Sequence, residues 1–129
     1  MVTVGLVSCS KETLDSAGRD VALNIITTGV WEKATQTIAG NSDVSLNVTR
    51  ELLDENQTLN FDKDGKAWVK TEGADTQTSF SYSMPSPKQM TFEGIDYEIK
   101  ENIVQSISTL TLVNKRDLVT TTIVFKRNR

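Results

Sequence analysis

The chain has 129 residues, of which 37% are hydrophobic and 24% charged, the composition of one ordinary globular domain rather than of a disordered or fibrous segment. A net charge of -3 and a pI near 4.9 supply no basic field for nucleic acid, and Lys126, Arg127 and Arg129 form only a short basic tail. With no histidine and a single cysteine, Ser-His-Asp and Cys-His catalysis, His-ligated zinc and an intrachain disulfide are all excluded.

Met1 to Ser8 is apolar or small, and the character changes abruptly at Ser10-Lys11-Glu12-Thr13. The junction Leu6-Val7-Ser8-Cys9 resembles the lipobox of bacterial lipoprotein signal peptides: an aliphatic residue, two small or modest ones, then cysteine. It departs from a full signal in having no Lys or Arg ahead of its short apolar run. The resemblance implies a diacylglycerol on the Cys9 thiol, cleavage before it and acylation of the new amino terminus. Residues 1–9 are then a signal remnant and lipidation site, residues 10–129 the domain, and the membrane of the bacterial cell envelope a partner through the anchor. No apolar run approaches the roughly 20 residues that a spanning helix needs.

From Glu12 to Ile26, the residues Leu14, Ala17, Val21, Ala22 and Ile25 recur at intervals of three and four, which predicts a short amphipathic helix packed on the domain's own core. Gly18 weakens it, and Thr27-Thr28-Gly29 ends it. After Gly29 the pattern has period two: Val30 to Ile38, Val44-Leu46-Val48, Leu59-Phe61, Ala67-Val69, Phe80-Tyr82-Met84, Met90-Phe92, Tyr97-Ile99, Leu110-Leu112 and Ile123-Phe125. Turn residues separate these runs at Gly40-Asn41, Asp64-Gly65, Glu72-Gly73, Pro85-Ser86-Pro87, Glu93-Gly94 and Asn114 to Asp117. Arg50 to Asn56 reads as a helical turn or a long loop. Eight or nine short strands joined by hairpin turns predict a mainly β fold behind the short helix, a meander that either closes on itself as an antiparallel up-and-down barrel of about eight strands or forms a sandwich.

Gly29-Val30-Trp31, a Gly-x-Trp that opens a first strand behind a helix, is similar to the start of the lipocalin and fatty-acid-binding barrels. Leu59 to Gly65 (LNFDKDG), Phe80-x-Tyr82, Tyr97-x-Ile99, Leu110-x-Leu112 and Phe125-x-Arg127 follow in an order that resembles the small lipocalin-like domains of Bacteroidetes envelope lipoproteins. The resemblance spans roughly residues 20 to 129. It implies a barrel closed by an arginine near the C-terminus stacked on the Gly-x-Trp tryptophan, here Gly29, Trp31 and Arg127. It also implies binding of a small apolar ligand, for which the in-phase residues Phe61, Val69, Phe80, Tyr82, Phe92, Tyr97, Ile99 and Phe125 are the candidates. These side chains are large, and eight strands enclose little more than their volume. Any cavity is therefore expected toward one mouth, at or below the lower end of the roughly 300 to 1,000 Å³ range of ligand sites, with a tyrosine hydroxyl as its polar group and no charged group facing in.

Other motifs carry less. Asp62-Lys63-Asp64-Gly65 opens like a calcium loop, but Gly73 stands where the closing acid belongs, and a hairpin turn is the better reading. Asn47-Val48-Thr49 and Asn56-Gln57-Thr58 match the glycosylation sequon, which a bacterial lipoprotein does not normally use. The 17 Asp and Glu show no spacing that singles out a catalytic pair. Neither a metal nor a cofactor is implied, and a non-enzymatic role is expected. Trp68 lies out of phase with Ala67 and Val69, on the opposite face, as a covered surface residue or the anchor of a partner site. Two functions follow: a carrier of a small apolar ligand in or at the mouth of the barrel, or a protein-interaction module displayed at the envelope.

Overall fold

The computed structural model describes residues 18–127. Cys9 and the first part of the expected helix lie outside the described residues. Within them, helix α1 occupies 18–27 and buries Ala22 and Ile26 completely, one turn apart, with Leu23 and Ile25 packed beside them. Val21, expected on this face, is 46% exposed, because the buried stripe centres on the Ala22–Ile26 line and leaves Val21 on its flank. The Thr27 and Thr28 hydroxyls donate to the carbonyls of Leu23 and Asn24 at 2.7 and 2.6 Å, and Gly29 takes the left-handed backbone (φ +83°) that lets the chain leave the helix.

The nine strands that follow are β1 Lys33–Ala39, β2 Thr49–Glu51, β3 Gln57–Asp62, β4 Lys66–Thr71, β5 Gln77–Ser86, β6 Gln89–Phe92, β7 Ile95–Ile99, β8 Thr109–Arg116 and β9 Val119–Lys126. They form one curled antiparallel sheet in the order β2-β1-β9-β8-β7-β6-β5-β4-β3, the mainly β architecture with a short N-terminal helix that the alternating pattern predicts. From β3 onward each strand pairs with the next in sequence. Hairpin turns make this possible: Gly65 (φ +90°) supplies the positive φ at the Asp62 to Lys66 turn, read from sequence as a hairpin.

The two ends of the sheet meet at Trp31. Its backbone exchanges both hydrogen bonds with Leu59, at 2.7 and 2.8 Å. Since Thr35 pairs with Glu51 and Trp31 with Leu59, four residues along the first strand correspond to eight along its partner. Strands β2 and β3 are thus successive halves of one stave, interrupted by four inserted residues. Nine segments make eight positions around the barrel, the number expected. The insertion falls after Glu51, within the stretch Arg50 to Asn56 read as a turn or loop, whose first two residues belong to β2, and it buries Leu53.

One predicted strand is absent. Val44 and Leu46 belong to a single 3₁₀ turn, Val44–Leu46, capped by Asp43, and Val44, Leu46 and Val48 are all exposed. Alternation over so few residues does not specify a strand when no neighbour is free to pair with it.

Candidate functional site

The expected closing motif comes together at the helix end of the barrel. Trp31 is fully buried, and its Nε1 donates to the carbonyl of Ile26 at 3.1 Å. The Arg127 guanidinium lies over the indole, its carbon 4.1 Å from the ring centroid. Arg127 donates to the carbonyls of Thr28, of Ile25 at 3.1 Å and of Ile107 at 2.9 Å. Carbonyls at the end of α1 thereby receive donors from a tryptophan and an arginine. Gly29 stands beside the guanidinium, where a Cβ would lie 3.9 Å from its nitrogen.

Above this plug the candidate ligand residues pack against one another. Phe61 meets Tyr82, Phe125 and Trp31 at centroid separations of 5.0, 5.3 and 6.3 Å, all edge to face. Phe92 packs on Phe125 at 5.7 Å and on Phe80 at 5.2 Å. These are contact distances for aromatic rings. Val69, Ile99, Tyr82, Phe92 and Tyr97 are buried in the same cluster, and Phe80 is half-buried at its margin. These residues act as a core, and the middle of the barrel is filled by side chains, the outcome anticipated for eight strands bearing large in-phase residues.

The two tyrosine hydroxyls have partners. That of Tyr82 donates to the carbonyl of Asp62 at 2.6 Å. Burial first, and then the negative charges of Asp62 and Asp64, push its phenol up to about 12. The Tyr97 phenol is also raised, by burial, and is partly offset by a hydrogen bond with Gln36. Gln36 pairs in register with buried Ile123 and with Arg50, so all three side chains belong to the inner face. The Arg50 Nε donates to the Gln36 Oε1 at 2.7 Å.

This polar layer marks the mouth opposite α1. Farther along the same face, Asn114 pairs with Thr121 and Arg116 with Val119, two and four residues beyond the buried pair Leu112 and Ile123. With Ile95, which shares the phase of buried Tyr97 and Ile99, they line a hollow of about 490 Å³. This hollow lies at a mouth, but no tyrosine lines it, Asp96 and Asp117 do, and its volume is above the size expected. Two arginines reach the inner phase there, correcting the expectation that no charged group faces in; both sit in strands beyond the apolar run that defined the phase. Gln36 was legible, since it alternates with Ala34 and Ile38. Arg50 was not, because the stretch holding it reads as a loop.

The rim of this mouth carries Asp117 and, beside it, large exposed apolar side chains. Leu118 is 85% exposed and Val44 75%. Gly40, which opens the loop that carries Val44 and Leu46, abuts the Leu118 backbone, since a Cβ on it would lie 1.9 Å from the Leu118 oxygen.

Other hollows open on the outside of the barrel. One of about 980 Å³ lies along the interrupted stave, between Glu51, Asp54, Glu55, Lys33 and Lys126. A second, of about 590 Å³, holds Trp68, Asn60, Asp62, Lys70, Asp75 and Gln77. Trp68 is half-buried on the outer face, as its phase predicts. Among the described residues no group of three or more His, Cys, Asp and Glu is arranged to hold a metal ion. No helix there is long and apolar enough to cross a membrane. The chain matches no family model, no curated protein and no solved structure.

Proposed function

We propose that this chain is a lipid-anchored, lipocalin-like binding protein of the bacterial cell envelope, held by Cys9, that takes a compact, largely apolar ligand at the open mouth of its barrel and has no catalytic role. The observation that carries this reading is the contrast between the two ends. The helix end is plugged by Trp31, Arg127 and α1, and the middle is filled by rings 5.0 to 6.3 Å apart. The far end presents a hollow of about 490 Å³ rimmed by exposed leucine and valine. A ligand there meets Ile95 and Val119 with its apolar body, and Arg116, Asn114, Asp96 and Asp117 supply polar partners of both charges.

Exposed apolar loop tips also suit the second reading, an interaction module whose rim grips an envelope protein. Leu118 and Val44 stand well out from the hollow, as protein-contact residues do. Native mass spectrometry of the protein purified without delipidation separates the two. A bound small molecule, and a raised melting temperature with long-chain fatty acids that is lost in Leu118→Asp, support the carrier. No adduct and no shift well above micromolar concentration transfer the rim to a protein partner.

A further inference from the structure

Trp68 is a large aromatic residue that the core does not use. It stands in β4 on the outer face, directly opposite Asn60 of β3 and Ser79 of β5, and belongs neither to the buried cluster nor to the residues packed against it. Its indole is nevertheless held. One oxygen of Asp64 accepts from the Lys66 backbone N–H at 2.9 Å, and the other from the Trp68 Nε1 at 3.4 Å. A turn carboxylate that is itself fixed thus orients the ring, which lowers the entropy cost of using it as a platform.

What surrounds the ring indicates what would sit on it. Asn60 and Gln77 offer amides, Asp62 and Asp75 carboxylates, and Lys70 an ammonium, all on one hollow of about 590 Å³. Donors and acceptors are mixed, and charges of both signs are present. A phosphate-bearing ligand is disfavoured by the two carboxylates and by the net charge of -3. A quaternary ammonium needs several aromatic faces, and this hollow has one. Addition of a peptide strand needs a free sheet edge, and β4 is paired on both sides.

We propose that this outer face of β3, β4 and β5 is a binding site for neutral carbohydrate. A pyranose ring laid on Trp68 presents its C–H face to the indole, while the hydroxyls around its rim reach the amides of Asn60 and Gln77 and the carboxylates of Asp62 and Asp75. The site is separate from the mouth and stands whether or not the mouth binds a ligand.

The test is calorimetric titration of the whole protein with four neutral probes: maltohexaose, cellohexaose, xylohexaose and mannohexaose. At least one is expected to bind with a Kd between about 10 μM and about 5 mM. Trp68→Ala should weaken it at least about tenfold and Trp68→Phe, which keeps a ring, only about threefold. Asn60→Ala and Gln77→Ala should each weaken it several-fold. Since Trp68 lies outside the core, the melting temperature of each variant should stay near that of the parent, and Trp68→Phe decides if Trp68→Ala does not fold. Absence of saturable binding by all four probes up to about 10 mM, or binding indifferent to the Trp68 and Asn60 substitutions, overturns the proposal.

Discussion

The Arg127 guanidinium carbon lies over Trp31, 4.1 Å from the ring centroid, and so ties the end of the last strand to the residue that enters the first. The same guanidinium holds the last carbonyls of α1 and that of Ile107 in the β7–β8 connection. Three parts of the chain distant in sequence depend on one side chain.

Replacing Arg127 by Ala should therefore cost about 2 to 4 kcal/mol, the sum of a stacked cation and several charge-assisted hydrogen bonds less the desolvation recovered. Arg127→Lys should recover little of it, because an ammonium has neither the fork nor the flat face. Urea denaturation of the three proteins checks both, and equal stability of Lys and Arg would show that charge alone is at work.

Tyr82 predicts a pH dependence. Its phenol lies at about 12 when folded, against an ordinary value of 10.0. A raised folded value favours the neutral hydroxyl, so this contribution is complete below pH 10 and is lost as the pH rises toward 12, where the unfolded chain ionises first. Tyr82→Phe should remove that share of the alkaline loss. It should also cost about 1 kcal/mol at neutral pH, because the Asp62 carbonyl loses the shorter of its two hydrogen bonds and keeps the one from the Gly65 N–H at 3.3 Å. Denaturation midpoints of both proteins between pH 8 and 12 measure the difference, with the other titrating groups common to the two.

Two glycines with similar backbones should respond unequally to alanine. Gly40 and Gly73 have φ of +93° and +82°. A Cβ on Gly73 meets nothing within 4 Å, whereas on Gly40 it would overlap the Leu118 oxygen at 1.9 Å. Gly73→Ala should cost only the left-handed strain, about 1 kcal/mol. Gly40→Ala should cost at least about 2 kcal/mol more and loosen the mouth, since backbone must move. Thermal melts compare them directly.

The anchor is tested by Cys9→Ser. The substitution should move the protein expressed in a bacterial host from the detergent phase to the aqueous phase while its melting temperature holds, since a tether ahead of the helix carries none of the packing described. Partitioning that does not change removes the lipid from the proposal.

Much of this was legible because burial on one face writes itself as alternation. Phe61, Tyr82, Phe92, Tyr97, Ile99, Leu110, Leu112, Ile123 and Phe125 all fall in the core by that rule. The pairing of Trp31 with Arg127 came from resemblance and is present in the geometry. What escaped the sequence is where the period breaks. Trp31 and Ala34 are both buried although three residues apart, with exposed Glu32 and Lys33 between them, so no single phase covers the first strand. The inserted residues after Glu51 hid β2, a strand of three exposed residues. Val44 and Leu46 alternate and yet stand exposed, because alternation records a face to bury, and at the rim none of the described residues covers it.

The interrupted stave has a bearing on motion. Strands β8 and β9 are joined over eight residue pairs, while β3 meets the segment leading into β1 through a single pair, Trp31 with Leu59. The barrel is a bracelet with one narrow clasp, and local opening should begin there, with the Trp31 and Leu59 amides exchanging with solvent sooner than those of Leu110 to Leu112. Arg127 holds the Trp31 side of that clasp, so loosening its grip on the indole should speed the exchange of these two amides.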